Sequence, residues 1–163
     1  MEPRSADIQW IASLVTNAPA AVIHHFSVRA FEYDAYLPGR ILTRIEGRAT
    51  VDGQERGWSV IRKWTDAATE TPKAPLEGGR REALAYRSRI ADVVRGFAMP
   101  IAHEIKVSEG GPVELWLEDV VDDQERWPLT TFAVAARALG RFNGTWAVRP
   151  VPPRRLARDG LGS

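Results

Sequence analysis

The sequence predicts an α+β domain: a five-stranded antiparallel sheet with one inserted helix, plus an N-terminal helix and a C-terminal helix. Three observations lead there. Asp52-Gly53 separates two strand-like runs and is the strongest hairpin signal in the chain. A second pair of runs is joined across Glu109-Gly110-Gly111-Pro112. Between these hairpins, residues 80–97 carry apolar side chains at helical spacing. Consecutive hairpins imply antiparallel neighbours, and a helix between hairpins places the chain in the α+β class.

The elements follow in order. Asp7 reads as the N-cap of a short helix with Ile8, Ile11, Leu14 and Val15 on one side and Pro19 beyond its end. Ala21–Val28 reads as a first strand. Arg40–Val51 reads as a second, with Ile41, Thr43 and Ile45 on one face and Leu42, Arg44 and Glu46 on the other. The third strand is the run Trp58–Lys63, and residues 66–79, rich in Thr, Pro and Gly, read as a loop. The inserted helix is expected from Arg80 to Phe97, with Tyr86, Ile90, Val93, Val94 and Phe97 as its apolar stripe. Ala102–Ser108 and Val113–Glu118 form the second hairpin. A last helix spans Thr131–Trp146, with Phe132, Ala136, Leu139, Phe142 and Trp146 recurring along one side.

Composition narrows the function classes. The chain has 163 residues, 44% hydrophobic and 26% charged, with a net charge of +1, so no global field favours nucleic acid or a membrane surface. It contains no cysteine, which removes disulfides, thiol catalysis and thiolate zinc sites together. His24 and His25 are adjacent on a strand and point to opposite faces, so they cannot chelate one metal. No apolar run approaches the roughly 18 residues of a membrane span, and no signal peptide is evident at the N-terminus. A cytoplasmic location is the expectation.

The chemistry-bearing feature is a pair. Lys63 closes the third strand, and Glu82 opens the inserted helix nineteen positions later. Alone, each has an ordinary reading: a solvated surface lysine, and a glutamate complementing the helix dipole in the first turn. Glu82, however, lies one turn before Tyr86, on the inward stripe. A carboxylate on a buried face is costly without a cationic partner, and Lys63 is the natural candidate. Such a lysine–glutamate clamp is how kinase-like enzymes hold nucleotide phosphates: the ammonium neutralises phosphate oxygens and the carboxylate fixes its flexible stem.

Further runs extend the pattern. Arg81-Glu82-Ala83-Leu84-Ala85-Tyr86 resembles the R-E-A-x-x-Y helix opening of aminoglycoside-phosphotransferase-like kinases. Glu114-Leu115-Trp116-Leu117-Glu118-Asp119-Val120 resembles their hinge strand, and Ala135–Gly144 is similar to their A-A-R-A-L-G-R linker helix. The resemblance covers roughly residues 20–146. It implies a kinase-like small lobe over 1–119, a hinge and linker helix over 120–146, and a tail over 147–163. It further implies ATP as cofactor, Lys63 and Glu82 as catalytic residues, and the Glu118 carbonyl and Val120 amide as adenine contacts; locally, that stretch reads equally as an apolar strand followed by an acidic loop. In the connection between the first two strands a single glycine, Gly39, stands where kinases carry a glycine-rich loop. It either lets the backbone approach phosphate or makes a plain turn. The catalytic loop, H-x-D with a later Asn, does not occur, nor do the Asp and Asn that bind Mg.

The resemblance therefore implies the nucleotide-binding part of a small-molecule phosphotransferase, without turnover on its own, as expected of a truncated fragment. An alternative is a non-catalytic module that docks a partner, or itself, through the linker helix. A third is a nucleic-acid-binding domain using the basic tail, where Arg149, Arg154, Arg155 and Arg158 face Asp159 alone. That tail, with Pro150, Pro152 and Pro153, is expected to be disordered.

Overall fold

A computed structural model of the chain describes residues 4–31, 39–66, 79–93, 98–121 and 127–148. The element order is helix α1 (Ser5–Val15), strands β1 (Val22–Ala30), β2 (Arg40–Val51) and β3 (Gln54–Thr65), helix α2 (Gly79–Arg87), a 3-10 turn (Ile90–Val93), strands β4 (Ala102–Val107) and β5 (Val113–Glu118), and helix α3 (Leu129–Val148). The five strands form one antiparallel sheet in the order β1-β2-β3-β5-β4. The chain divides into two compact units: Met1–Ile90 with Met99–Val121, and Ala91–Ala98 with Asp122–Ser163.

Within the first unit the sheet carries a helix on each face. Asp52 and Gly53 both adopt positive φ, 51° and 76°, the conformation a two-residue hairpin needs to match strand twist. This turn fixes an uninterrupted register from Val51↔Gln54 to Arg40↔Thr65, and β3 accordingly starts earlier than the expected Trp58. On one face Ile45, Ala49, Val51, Trp58, Val60 and Trp116 pack with Ile8, Ile11 and Ala12 of α1. On the other, Val113, Leu115 and Leu117 pack with Ala83 of α2, joined by Ile61, Tyr86 and Ile105. Side chains alternate between faces along each strand, so the pairs Leu42↔Lys63 and Lys63↔Leu115 put Lys63 on the α2 face. Helix α2 packs mainly on β5 and β4, and its first turn also reaches β3.

Three expectations are corrected. Asp7 is not a cap: α1 begins at Ser5 after Arg4, and Asp7 sits in the first turn, where it accepts from Arg4 Nε at 2.9 Å. Leu14, expected on the apolar stripe, is 40% exposed, and Ala12 takes the buried place. The inserted helix does not run to Phe97. Ser88 Oγ bonds back to Ala85 O at 3.1 Å and Arg89 adopts φ 51°, so the α-helix stops at Arg87 and only a 3-10 turn follows. Residues 94–97, including Val94 and Phe97 of the expected stripe, lie outside the described residues.

In the second unit, α3 runs from Leu129 to Val148, two residues longer at each end than expected. The Pro128 carbonyl accepts from the amides of Thr131 and Phe132 at 2.9 and 3.3 Å, and the Trp127 and Phe132 rings lie 5.7 Å apart. The tail from Arg149 onward lies outside the described residues. No described helix is long and apolar enough to cross a membrane.

Candidate functional site

The site forms where β3 passes under the first turn of α2. Leu42 and Leu115 flank Lys63 on the neighbouring strands, which leaves its stem an apolar bed and its ammonium one way out, towards the helix. Gly79, the first residue of α2, explains why the helix is close enough to meet it. A Cβ on Gly79 would lie 2.7 Å from Val113 Cβ and 3.1 Å from Thr65 Cβ, so only a glycine lets the helix start against β5 and β3. Thr65 is two residues beyond Lys63 on the same face. Glu82 is one turn along from Gly79 and so stands above Lys63.

Lys63 Nζ and Glu82 Oε2 lie 2.5 Å apart, and the two side chains are 18% and 29% exposed. The pair expected from the sequence forms. Tyr86 follows Glu82 by one turn. Burial, and secondarily the negative charge of Glu82, push its phenol up to about 12, and the ring packs with the Ala83, Val113 and Leu115 cluster.

Gly39 and Glu118 lie on opposite sides of Lys63 along the sheet. Gly39 has φ 81° and its carbonyl accepts from the Asp66 amide at 2.8 Å, one step past the Arg40↔Thr65 pair. It is a turn glycine bonded into the end of the β2–β3 ladder. Residues 32–38, the rest of that connection, lie outside the described residues. Glu118 pairs with Val60; its amide donates to Ile101 O at 2.7 Å and its carboxylate accepts from the Ile101 amide at 3.0 Å. Val120, two residues beyond the strand, is 60% exposed. The structure thus brings Lys63 and Glu82 into contact and sets Gly39 and Glu118 to either side, in contact with neither.

Two structural features beside the pair escape a reading of the sequence. The first is Gly79. The second is an ion pair between Arg44 Nη2 and Asp119 Oδ1 at 2.8 Å, with the Asp119 side chain only 6% exposed and Arg44 stacked 5.4 Å over the Phe31 ring. Arg44 pairs with Ile61, two residues before Lys63, and Asp119 follows Glu118, so this bridge crosses β3 beside the Lys63–Glu82 pair. It ties the exit of β5 to β2. On the opposite face, Asp7 meets Arg4 at 2.9 Å and Lys106 at 3.1 Å, and Arg62 meets Glu114 at 2.5 Å. This second set of ion pairs fastens α1 to β4 and lies away from Lys63.

An open depression lined by His25, Ser27, Glu46, Arg48, Gly57 and Ser59 lies further along β1–β3 and includes neither Lys63 nor Glu82. Its strand positions are mostly open polar side chains, so the candidate site rests on the half-buried Lys63–Glu82 pair and not on this concavity. Among the described residues no three His, Cys, Asp or Glu side chains gather to hold a metal.

The face around Lys63 presents a positioned cationic group. It offers one ammonium held in place by a carboxylate, next to the half of the sheet that α2 leaves uncovered. Further along β3, the Arg44–Asp119 bridge lies beside Ile61. No protein-family model matches the chain, and no curated protein or solved structure matches it.

Proposed function

We propose that this chain is the nucleotide-binding lobe of an ATP-dependent small-molecule phosphotransferase similar to the aminoglycoside-phosphotransferase-like kinases. The observation that carries the proposal is the Lys63–Glu82 ion pair between the third strand and the helix that follows it. A strand-borne lysine oriented by a helix-borne glutamate is the arrangement with which such enzymes neutralise nucleotide phosphates. Lys63 would hold the phosphates, Glu82 would keep Lys63 extended, and Gly39 would sit at the phosphate end. The Glu118 carbonyl and the Val120 amide would meet the base.

ATP supplies the phosphoryl group when bound. The residues of this chain bind and orient it; they do not complete the chemistry. The sequence contains no H-x-D with a following Asn, so this chain alone offers neither the base that orients the acceptor hydroxyl nor the ligands that hold magnesium. The proposed role is weak nucleotide binding without turnover.

Calorimetric titration of the full chain with ATP, with and without magnesium, tests this. Wild type is expected to bind, and Lys63→Met to lose about tenfold or more in affinity, the equivalent of about 1.4 kcal/mol for a phosphate-bound cation. Glu82→Gln should lose less, because the ammonium remains but is no longer held. Circular dichroism must show both variants folded. Absence of binding at millimolar ATP, or unchanged binding in Lys63→Met, refutes the proposal.

A further inference from the structure

We infer that the outer edge of β1 is a self-association surface, on which β1 of a second copy pairs antiparallel so that two sheets become one. A sheet edge presents unpaired N–H and C=O groups, and natural edges are blunted by charge, proline or cover. The two edges of this sheet are treated differently. At β4, arginines of α2 reach down to edge carbonyls: Arg87 Nη2 donates to Ile105 O at 3.3 Å and Arg80 Nη2 to Ser108 O, just past the strand, at 2.8 Å. Glu104 and Lys106 add charge to that strand. Strand β1 contains no proline, lysine or carboxylate, and its Val22, Phe26 and Val28 are 57%, 37% and 42% exposed. No described strand pairs with its outer side.

The hydrogen-bond pattern shows which backbone groups are open. The Phe31 amide donates to Leu42 O at 3.0 Å. In the register that continues to His25↔Arg48, Arg29, Ser27 and His25 therefore turn their backbone groups to β2, and Ala30, Val28 and Phe26 turn theirs outward. A second β1 centred on Val28 bonds to those outward groups. It sets Phe26 opposite Ala30 of the other copy, and Ser27 opposite Arg29.

Charge is what identifies the occupant as a second copy. Ser27 pairs with Glu46 on β2, so Arg29 of the second copy enters the Glu46 row with only a serine between them. Among the described residues neither Arg29 nor Glu46 has an ion-pair partner. The two-fold operation matches them twice and keeps the two Arg29 side chains apart.

Sedimentation of the full chain over a concentration series reads the outcome. Wild type is expected to dimerise. Arg29→Glu, which sets two carboxylates in one row, should weaken the dimer about tenfold or more, and the swap Arg29→Glu with Glu46→Arg should restore it. Val28→Cys, in a chain with no native cysteine, should give a disulfide-linked dimer on oxidation. Opposed hydrogen-bonded residues stand about 5.5 Å apart at Cα, within disulfide reach. A wild type that stays monomeric throughout overturns the inference. So does a dimer that Arg29→Glu leaves intact and Val28→Cys fails to cross-link.

Discussion

Gly79 approaches Val113 so closely that a single added Cβ would lie 2.7 Å from the valine Cβ and 3.0 Å from its Cγ1. That contact is where α2 is seated on the sheet. Because Glu82 rides one turn further along the same helix, the distance between Gly79 and Val113 sets the distance between Glu82 and Lys63. A small residue with no polar side chain of its own thus governs the Lys63–Glu82 contact.

The consequence for Gly79→Ala follows by weighing two opposed effects. Alanine is the better helix former by about 0.8–1.0 kcal/mol in a helix interior, and less at a first position. Against this, the new methyl meets Val113 and Thr65 at their Cβ atoms, which are fixed to strand backbones and cannot rotate away. Overpacking of this kind costs about 1–3 kcal/mol and exceeds the propensity gain. Urea denaturation should show a net loss of about 1–2 kcal/mol. Unchanged or higher stability would mean that α2 is not seated on Val113.

What the sequence made legible, and what it hid, divides along physical lines. The boundaries of β2 and β5 were readable because alternation and the Asp52-Gly53 turn are local signals, and a turn of that kind leaves one register. The Lys63–Glu82 contact was readable because strand parity and helix spacing place both residues inward without knowledge of the topology. Periodicity overstates the length of α2 because Ile90 and Val93 continue the helical period past Arg87, while the Ser88 back-bond and the positive φ of Arg89 break the backbone first. Gly79 and the Arg44–Asp119 bridge were hidden for another reason. Both require knowing that β3 lies between β2 and β5, a non-local fact that no window of residues contains.

Acid should weaken the grip of α1 on the sheet. The Asp7 carboxyl is held down to about 2 from an ordinary 3.8, first by its hydrogen bond from Arg4 and, against the cost of burial, by Lys106. Its folded pKa is lowered, so the unfolded chain binds the proton more readily. The stabilisation is therefore fully present above about pH 4 and is lost as the pH falls towards about 2. Denaturation measured at steps from pH 5 to pH 2 should show Asp7→Asn less acid-sensitive than wild type over that interval. Since Arg4 is 83% exposed at its side chain, added salt should shrink the difference. Parallel pH profiles for the two proteins would refute this account.

The Arg44–Asp119 bridge should respond asymmetrically to the loss of either partner. Asp119 is 6% exposed and Arg44 27%, so the carboxylate has far less access to water than the guanidinium. Arg44→Met leaves that carboxylate buried without its cation, a situation that costs about 3–5 kcal/mol when burial is complete. Asp119→Asn leaves an arginine that still lies over Phe31 and can turn its head to solvent, at a cost of about 1 kcal/mol or less. The first substitution should therefore be the more destabilising by urea denaturation, and the double variant should recover part of the loss. The bridge also fixes the point at which the chain leaves β5. Hydrogen exchange in Arg44→Met should accelerate at the amides from Glu118 to Val121 more than at those of β2, which keep their ladder on both sides. Equal costs for the two single variants would show that the bridge is solvated and that the exit from β5 is held by the strand pairing alone.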